Sequence, residues 1–425
     1  MNINIDYGRT GIPIHVPDRN LKAILSLQPM PPIPDPAAAV QDALQHPTGT
    51  RSLPDLAKGA RSACILVCDA TRPVPNQVML PPILDALATA GIPRASTQIL
   101  IATGLHRGAT PVEILEILGP SIPSAYTILN HNARRINDHV YLGETRTGAP
   151  ILIDRRYAAA GLKIATGLIE PHLMAGFSGG RKLICPGIAA TGTIRHFHSL
   201  SILDSPAATA GTLEGNPVSD FSFEVARIAG CDFTVNTALD ENRQITGVFA
   251  GDILEAWMQG VDHVRKASSA PLSEEADIVI TSGAGHPLDG TLYQSIKGLV
   301  AAMPAVKPGG TIILFAAMQE GIGSPDFESL LSECAGPDDF LNRVKEPGFF
   351  RIDQWQTQEL ARVRNHANII IYSPNLQLAR FAPGWLNPAL SPAAAIAAAL
   401  DLHGRDATIV VIPKGPYVLP TIERS

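Results

Sequence analysis

Short apolar blocks alternate with amphipathic stretches along nearly the whole chain. The run ACILVC at 63–68 is apolar almost without interruption, as in a strand buried on both faces of a parallel sheet. A helix is expected over 77–90 and a strand, QILIA, over 98–102. Thr110-Pro111-Val112-Glu113 supplies a cap, a proline suited to the first helical position and an acid that completes a capping box. Further strands are expected over 126–129, 151–153, 163–166, 233–239 and 244–249, the last two flanking a turn at Asp240-Glu241-Asn242. Asp252 can cap a helix running to about Lys266. The proline-rich 27–36, LQPMPPIPDP, fits neither helix nor central strand, because proline fixes φ and has no N–H.

Residues 268–273, SSAPLS, break the periodicity and set a domain boundary, giving 1–268 and 269–425. A chain of 425 residues also exceeds one ordinary core. Beyond the boundary, strands over 277–281, 311–315, 368–372 and 408–412 alternate with helices that include 292–302, 353–365 and 392–402. That βαβ rhythm implies right-handed crossovers and a parallel sheet. The expected fold class is α/β with two domains, the C-terminal one Rossmann-like, and the last strand is free to join either domain.

Composition narrows the function classes. With 45% apolar and 17% charged residues the chain is globular. The net charge is −6 and no dense Lys/Arg run occurs, which disfavours a nucleic-acid partner. The apolar runs are too short and broken for a membrane span, and MNINIDYGRTG does not read as a secretory signal. Five scattered cysteines without zinc spacing suit a reduced, cytoplasmic protein.

The chemistry gathers at strand ends. IATGL occurs at 101–105 and again at 164–168, followed by His106 in the first copy and by Glu170-Pro171-His172 in the second. Ligands of open α/β sheets sit beyond the carboxyl ends of strands, so both histidines stand where chemistry is expected. They read equally as surface polar groups. Asp69-Ala-Thr71-Arg72 follows strand 63–68, and the planar fork of Arg72 suits a carboxylate. Gly176-Phe-Ser178-Gly179-Gly180-Arg181-Lys182 suggests a backbone approaching an anion, although neither its spacing nor Leu183 fits a Walker loop. No GxGxxG turn follows the first strand, which disfavours a dinucleotide site. His196 and His198 would share a face only in an extended segment. Tyr293, Gln294 and Lys297 open a helix, with Gln294 and Lys297 on one face, and Trp355 reads as a lid or as core.

Taken in order, DATRP, GLH, EPHLMAGFSGGRK, HFHS, YQSIKG and DQWQ resemble the lactate racemase family of nickel-pincer enzymes over about 60–360. The resemblance implies a racemase of a small 2-hydroxy acid with its active site in a cleft between the domains. It implies a nickel-pincer nucleotide, a pyridinium-3-thioamide-5-thiocarboxylate mononucleotide carrying nickel. Lys182 would hold it covalently and His198 would ligate nickel. Asp69, Thr71, Gly176, Ser178, Gly179, Gly180 and Arg181 would bind the cofactor, the glycine loop taking its phosphate. His106 and His172 would be the acid/base pair. Arg72, Tyr293, Gln294, Lys297 and Trp355 would contact substrate; His196 carries no role. Cofactor-biosynthesis enzymes would be transient partners, and a homo-oligomer is compatible with the reading. Malate, longer or aromatic acids and sugar acids are the alternative substrates. A non-catalytic binder of an organic anion or nucleotide, and a metallohydrolase built on His106, His172 and His198, are the alternatives of other classes.

Overall fold

The protein was analysed as a computed structural model that describes residues 1–346, 348–376 and 382–423. Its contacts divide the chain into two units. One is Pro29–Lys266; the other joins Met1–Gln28 to the chain from Ala267 onward.

In the first unit one six-stranded sheet has the order Ile245–Gly251, Phe233–Leu239, Leu162–Leu168, Ala63–Cys68, Thr97–Ala102, Thr127–Asn130. Neighbours run parallel except the outermost, Ile245–Gly251, which returns antiparallel after the turn at 240–242. Ala63–Cys68 is buried at every position, as its unbroken apolar run requires. The chain builds outward from it through Thr97–Ala102 and Thr127–Asn130, then crosses to lay Leu162–Leu168 on its other side. The order therefore reverses at Ala63–Cys68, and the carboxyl ends beside it form the crevice in which such sheets bind ligands. Helix Pro111–Leu118 starts at the expected capping box: Glu113 N donates to Thr110 Oγ1 at 3.3 Å and Thr110 N to a Glu113 carboxylate oxygen at 2.7 Å. The strand expected at 151–153 is Pro150–Asp154. It pairs outside the sheet, in a hairpin with His139–Glu144, whose HVYLGE pattern is too irregular to announce a strand.

The second unit holds a six-stranded, all-parallel sheet in the order Asn387–Pro388, Asn368–Tyr372, Val306–Phe315, Ala276–Ser282, Ile409–Ile412, Leu21–Ile24. The strand Ile409–Ile412, left open between domains by its sequence, thus lies inside this sheet. The element that crosses the expected boundary is the N-terminus. Leu21–Ile24 is an edge strand, and the hairpin Asn2–Ile5 with Ile12–His15 turns Ile3, Ile5 and Ile14 into a core with Ile280, Phe315 and Ile409. Among the described residues no helix is long and apolar enough to cross a membrane.

Candidate functional site

Three neighbouring strands of the first unit deliver the sequence candidates to one edge of its sheet. Ala63–Cys68 leads into Asp69, Thr71 and Arg72, Thr97–Ala102 into His106, and Leu162–Leu168 into Glu170 and His172. Asp69 accepts from Thr71 N at 3.2 Å and Thr71 Oγ1 at 2.5 Å, and lies 2.7 Å from His106 Nδ1. Burial alone would raise the Asp69 carboxyl, but His106 and Thr71 outweigh it and hold the group below its ordinary range. An ionised carboxylate only accepts, so His106 donates to it from Nδ1. His172 is held the opposite way. Its Nδ1 accepts from Met174 N and Ala175 N, both at 3.2 Å, which leaves the proton of the neutral ring on Nε2. The two imidazoles are thus held through Nδ1 in opposite senses, one donating and the other accepting.

The loop carrying His106 is fastened along its length. Gly104 N donates to Gly187 O at 2.9 Å, Arg134 to Leu105 O at 3.0 Å, and Arg107 grips Glu113 at 2.6 and 2.7 Å. Arg72 forms an ion pair with Glu170. Glu170 is the residue that sequence reasoning missed, although it follows its strand as Asp69 does. It was read only as part of the motif before His172.

The glycine loop is closely packed. Gly176 has φ +73°, and a Cβ there would lie 2.2 Å from Thr212 O; at Gly179, φ +107°, it would lie 2.9 Å from the Trp257 ring. These glycines serve close backbone packing. Ser178 Oγ donates to Leu168 O at 2.7 Å, Ser178 O takes the Trp257 indole N–H at 2.6 Å, and Gly180 N donates to Asn236 Oδ1 at 2.8 Å. Arg181 is fully buried, bonded to Ala175 O, Phe177 O and Ser219 Oγ, and stacked 3.8 Å from the Trp257 ring centre. Burial pushes its guanidinium down to about 9. Within the turn 176–181, Ser178, Gly180 and Arg181 are hydrogen-bonded to groups of the protein itself.

Lys182, next in sequence, is half-buried, with Nζ 5.1 Å from the Phe197 ring centre. His198 packs edge-on against the same ring at 4.6 Å. Burial first, and then the charge of Lys182, push the His198 imidazole far below its ordinary value; His106 acts in the same sense more weakly. His198 follows helix Thr191–Phe197 directly, so His196 and His198 do not share a face, and His196 and Arg195 are exposed. Among the described residues no three His, Cys, Asp or Glu side chains gather to hold a metal ion. A three-histidine centre of His106, His172 and His198 is therefore not built. A single neutral imidazole beside a primary amine fits instead a metal that brings its other donors with it.

In the second unit Tyr293 and Gln294 lie in the first turn of helix Leu292–Ala302, where Thr291 accepts from Gln294 N at 3.2 Å. Gln294 Oε1 is buried without a hydrogen-bond partner, an acceptor suited to a ligand hydroxyl. Lys297 lies one turn on. Trp355 is only 4% exposed and donates to Tyr293 Oη at 2.9 Å; Tyr293 donates in turn to Asp353 at 3.2 Å. Of the two readings open for Trp355, core packing is the one found.

A family model for the lactate racemase N-terminal domain matches residues 7–211, and one for the lactate racemase C-terminal domain matches 272–419. The chain is 34% identical over 422 residues to the lactate racemase of Thermoanaerobacterium thermosaccharolyticum, covering 98% of this chain and 99% of that one. It is 36% identical over 382 residues to the lactate racemase of Lactiplantibacillus plantarum, covering 89% and 90%. The solved lactate racemase apoprotein from T. thermosaccharolyticum superposes with a TM-score of 0.93 at 33% identity, over 99% of this chain and all 100% of that one. A Thermotoga maritima protein at 18% identity and TM-score 0.73, covering 92% of this chain and 99% of that one, shares the fold.

Proposed function

Because the chain belongs to the lactate racemase family and is thus an isomerase, we propose that it interconverts the enantiomers of a small, lactate-like 2-hydroxy acid with a nickel-pincer nucleotide. The observation that carries this reading is the delivery of Asp69, Arg72, His106 and His172 to one sheet edge, with His106 Nδ1 donating to Asp69 and His172 Nδ1 accepting from Met174 N and Ala175 N. Arg72 anchors the substrate carboxylate. His106 takes the hydroxyl proton, and Asp69 steadies the imidazolium that results. The planar 2-keto acid left when the α-hydride departs would be held by Arg72 and be open to hydride on either face. The two histidines exchange roles for the two enantiomers. When bound, the cofactor supplies the hydride acceptor. Lys182 would hold it through a covalent thioamide, and the neutral imidazole of His198 would be the protein's ligand to nickel. Tyr293, Gln294, Lys297 and Trp355 are proposed, by the family resemblance, as further substrate contacts.

The test is peptide mass. Protein made together with nickel and the cofactor-producing enzymes is expected to carry an adduct on the Lys182 peptide that Lys182→Ala lacks. An unmodified Lys182, in a preparation where a relative is modified, would favour the organic-anion-binding alternative.

A further inference from the structure

Glu170 has no role in the reaction described above, yet it is built into the site with care. Its backbone is tied at both ends to one residue: Glu170 N donates to Ser178 Oγ at 3.0 Å, and Ser178 N donates to Glu170 O at 2.9 Å. Ser178 is itself fixed by Trp257 through a 2.6 Å bond. The carboxylate therefore stands on a rigid turn, two residues before His172. It meets Arg72, with only 12% of its side chain exposed and 18% of that of Arg72. A guanidinium has five donors and a planar fork, so one carboxylate leaves room for a second. The Arg72–Glu170 pair is close to neutral, and a substrate carboxylate joining it brings the local sum to about −1. A second carboxylate on the substrate brings it to about −2, against an anion that cannot move away.

We propose that Glu170 positions Arg72 and restricts the site to 2-hydroxy acids with a single carboxylate. The inference rests on Arg72 as the carboxylate anchor. A like charge about 6 Å away in a partly screened site is expected to disfavour a dicarboxylate on the order of tenfold or more.

The experiment compares lactate with malate on the cofactor-loaded protein, using kcat/KM for each and the inhibition constant of malate against lactate turnover. In the wild type, malate is expected to bind at least about tenfold more weakly than lactate; equal binding overturns the proposal without any variant. In Glu170→Gln that gap should shrink about tenfold, chiefly through the malate constants, while Glu170→Asp, which keeps the charge, should preserve it. An unchanged gap in a folded Glu170→Gln overturns the specificity role. If the adduct-bearing wild type turns over neither acid, the functional reading fails and this inference fails with it. Turnover with an unchanged gap sinks this inference alone.

Discussion

Asp69 and His106 act as one group. The carboxylate fixes which ring nitrogen carries the proton, and it is itself kept ionised by that contact and by Thr71. Asp69→Asn should keep the shape and lose the charge. The expectation is a fall in kcat of about a hundredfold with KM within about threefold, since positioned acid–base groups are worth that much. Unaltered steady-state kinetics would show that the pair is structural. At this scale the sequence was informative about place where polar residues follow strand ends: Asp69, Arg72, His106 and His172 all lie beyond the carboxyl ends of neighbouring strands. It said less about the packing of Ser178, Gly180 and Arg181, because a glycine-rich loop has one appearance whether it cradles a ligand or lets two backbones touch. A buried arginine stacked on Trp257 cannot be told from a surface cation without knowing what lies opposite.

Helix Gln354–His366 shows what a pattern of polarity hides. Its first six residues, QWQTQE, are all buried, although their composition suggests a solvated face. Glu359 is the extreme case. Burial pushes its carboxyl up to about 7, against the opposing pull of Arg362 at 3.1 Å. The raised value means that the folded chain retains a proton the unfolded chain has released. The stability from this group is complete below about 4.5 and is lost as pH rises towards 7. Glu359→Gln should therefore melt close to the wild type at pH 5 and a few degrees higher at pH 8, the pH-dependent part being at most about 3 kcal/mol. A melting-point gap that is the same at both pH values would contradict this. The strands, by contrast, were legible, since unbroken apolar runs such as ACILVC have few other uses. The hairpin His139–Asp154 was half seen, because one of its strands has no clean alternation.

At the scale of the whole molecule, the presence of two α/β units was legible from the change of rhythm along the chain, and the path of the N-terminus was not. Backbone pairing between Leu21–Ile24 and Ile409–Ile412 joins residues nearly 400 positions apart, and no local pattern encodes a partner at that distance. A fragment beginning at Ala267 should accordingly lack a sheet edge and part of its core, and show no cooperative melting by circular dichroism. Linking residues 1–28 ahead of it should restore the transition. A fragment that melts cooperatively without them would contradict the shared core. The central claim, racemisation by an enzyme loaded at Lys182, is tested most directly by chiral chromatography of pure L-lactate incubated with the adduct-bearing protein. An approach to equal amounts of both enantiomers is expected, and no change with Lys182→Ala. Lactate that stays enantiopure in the presence of protein carrying the adduct would contradict it.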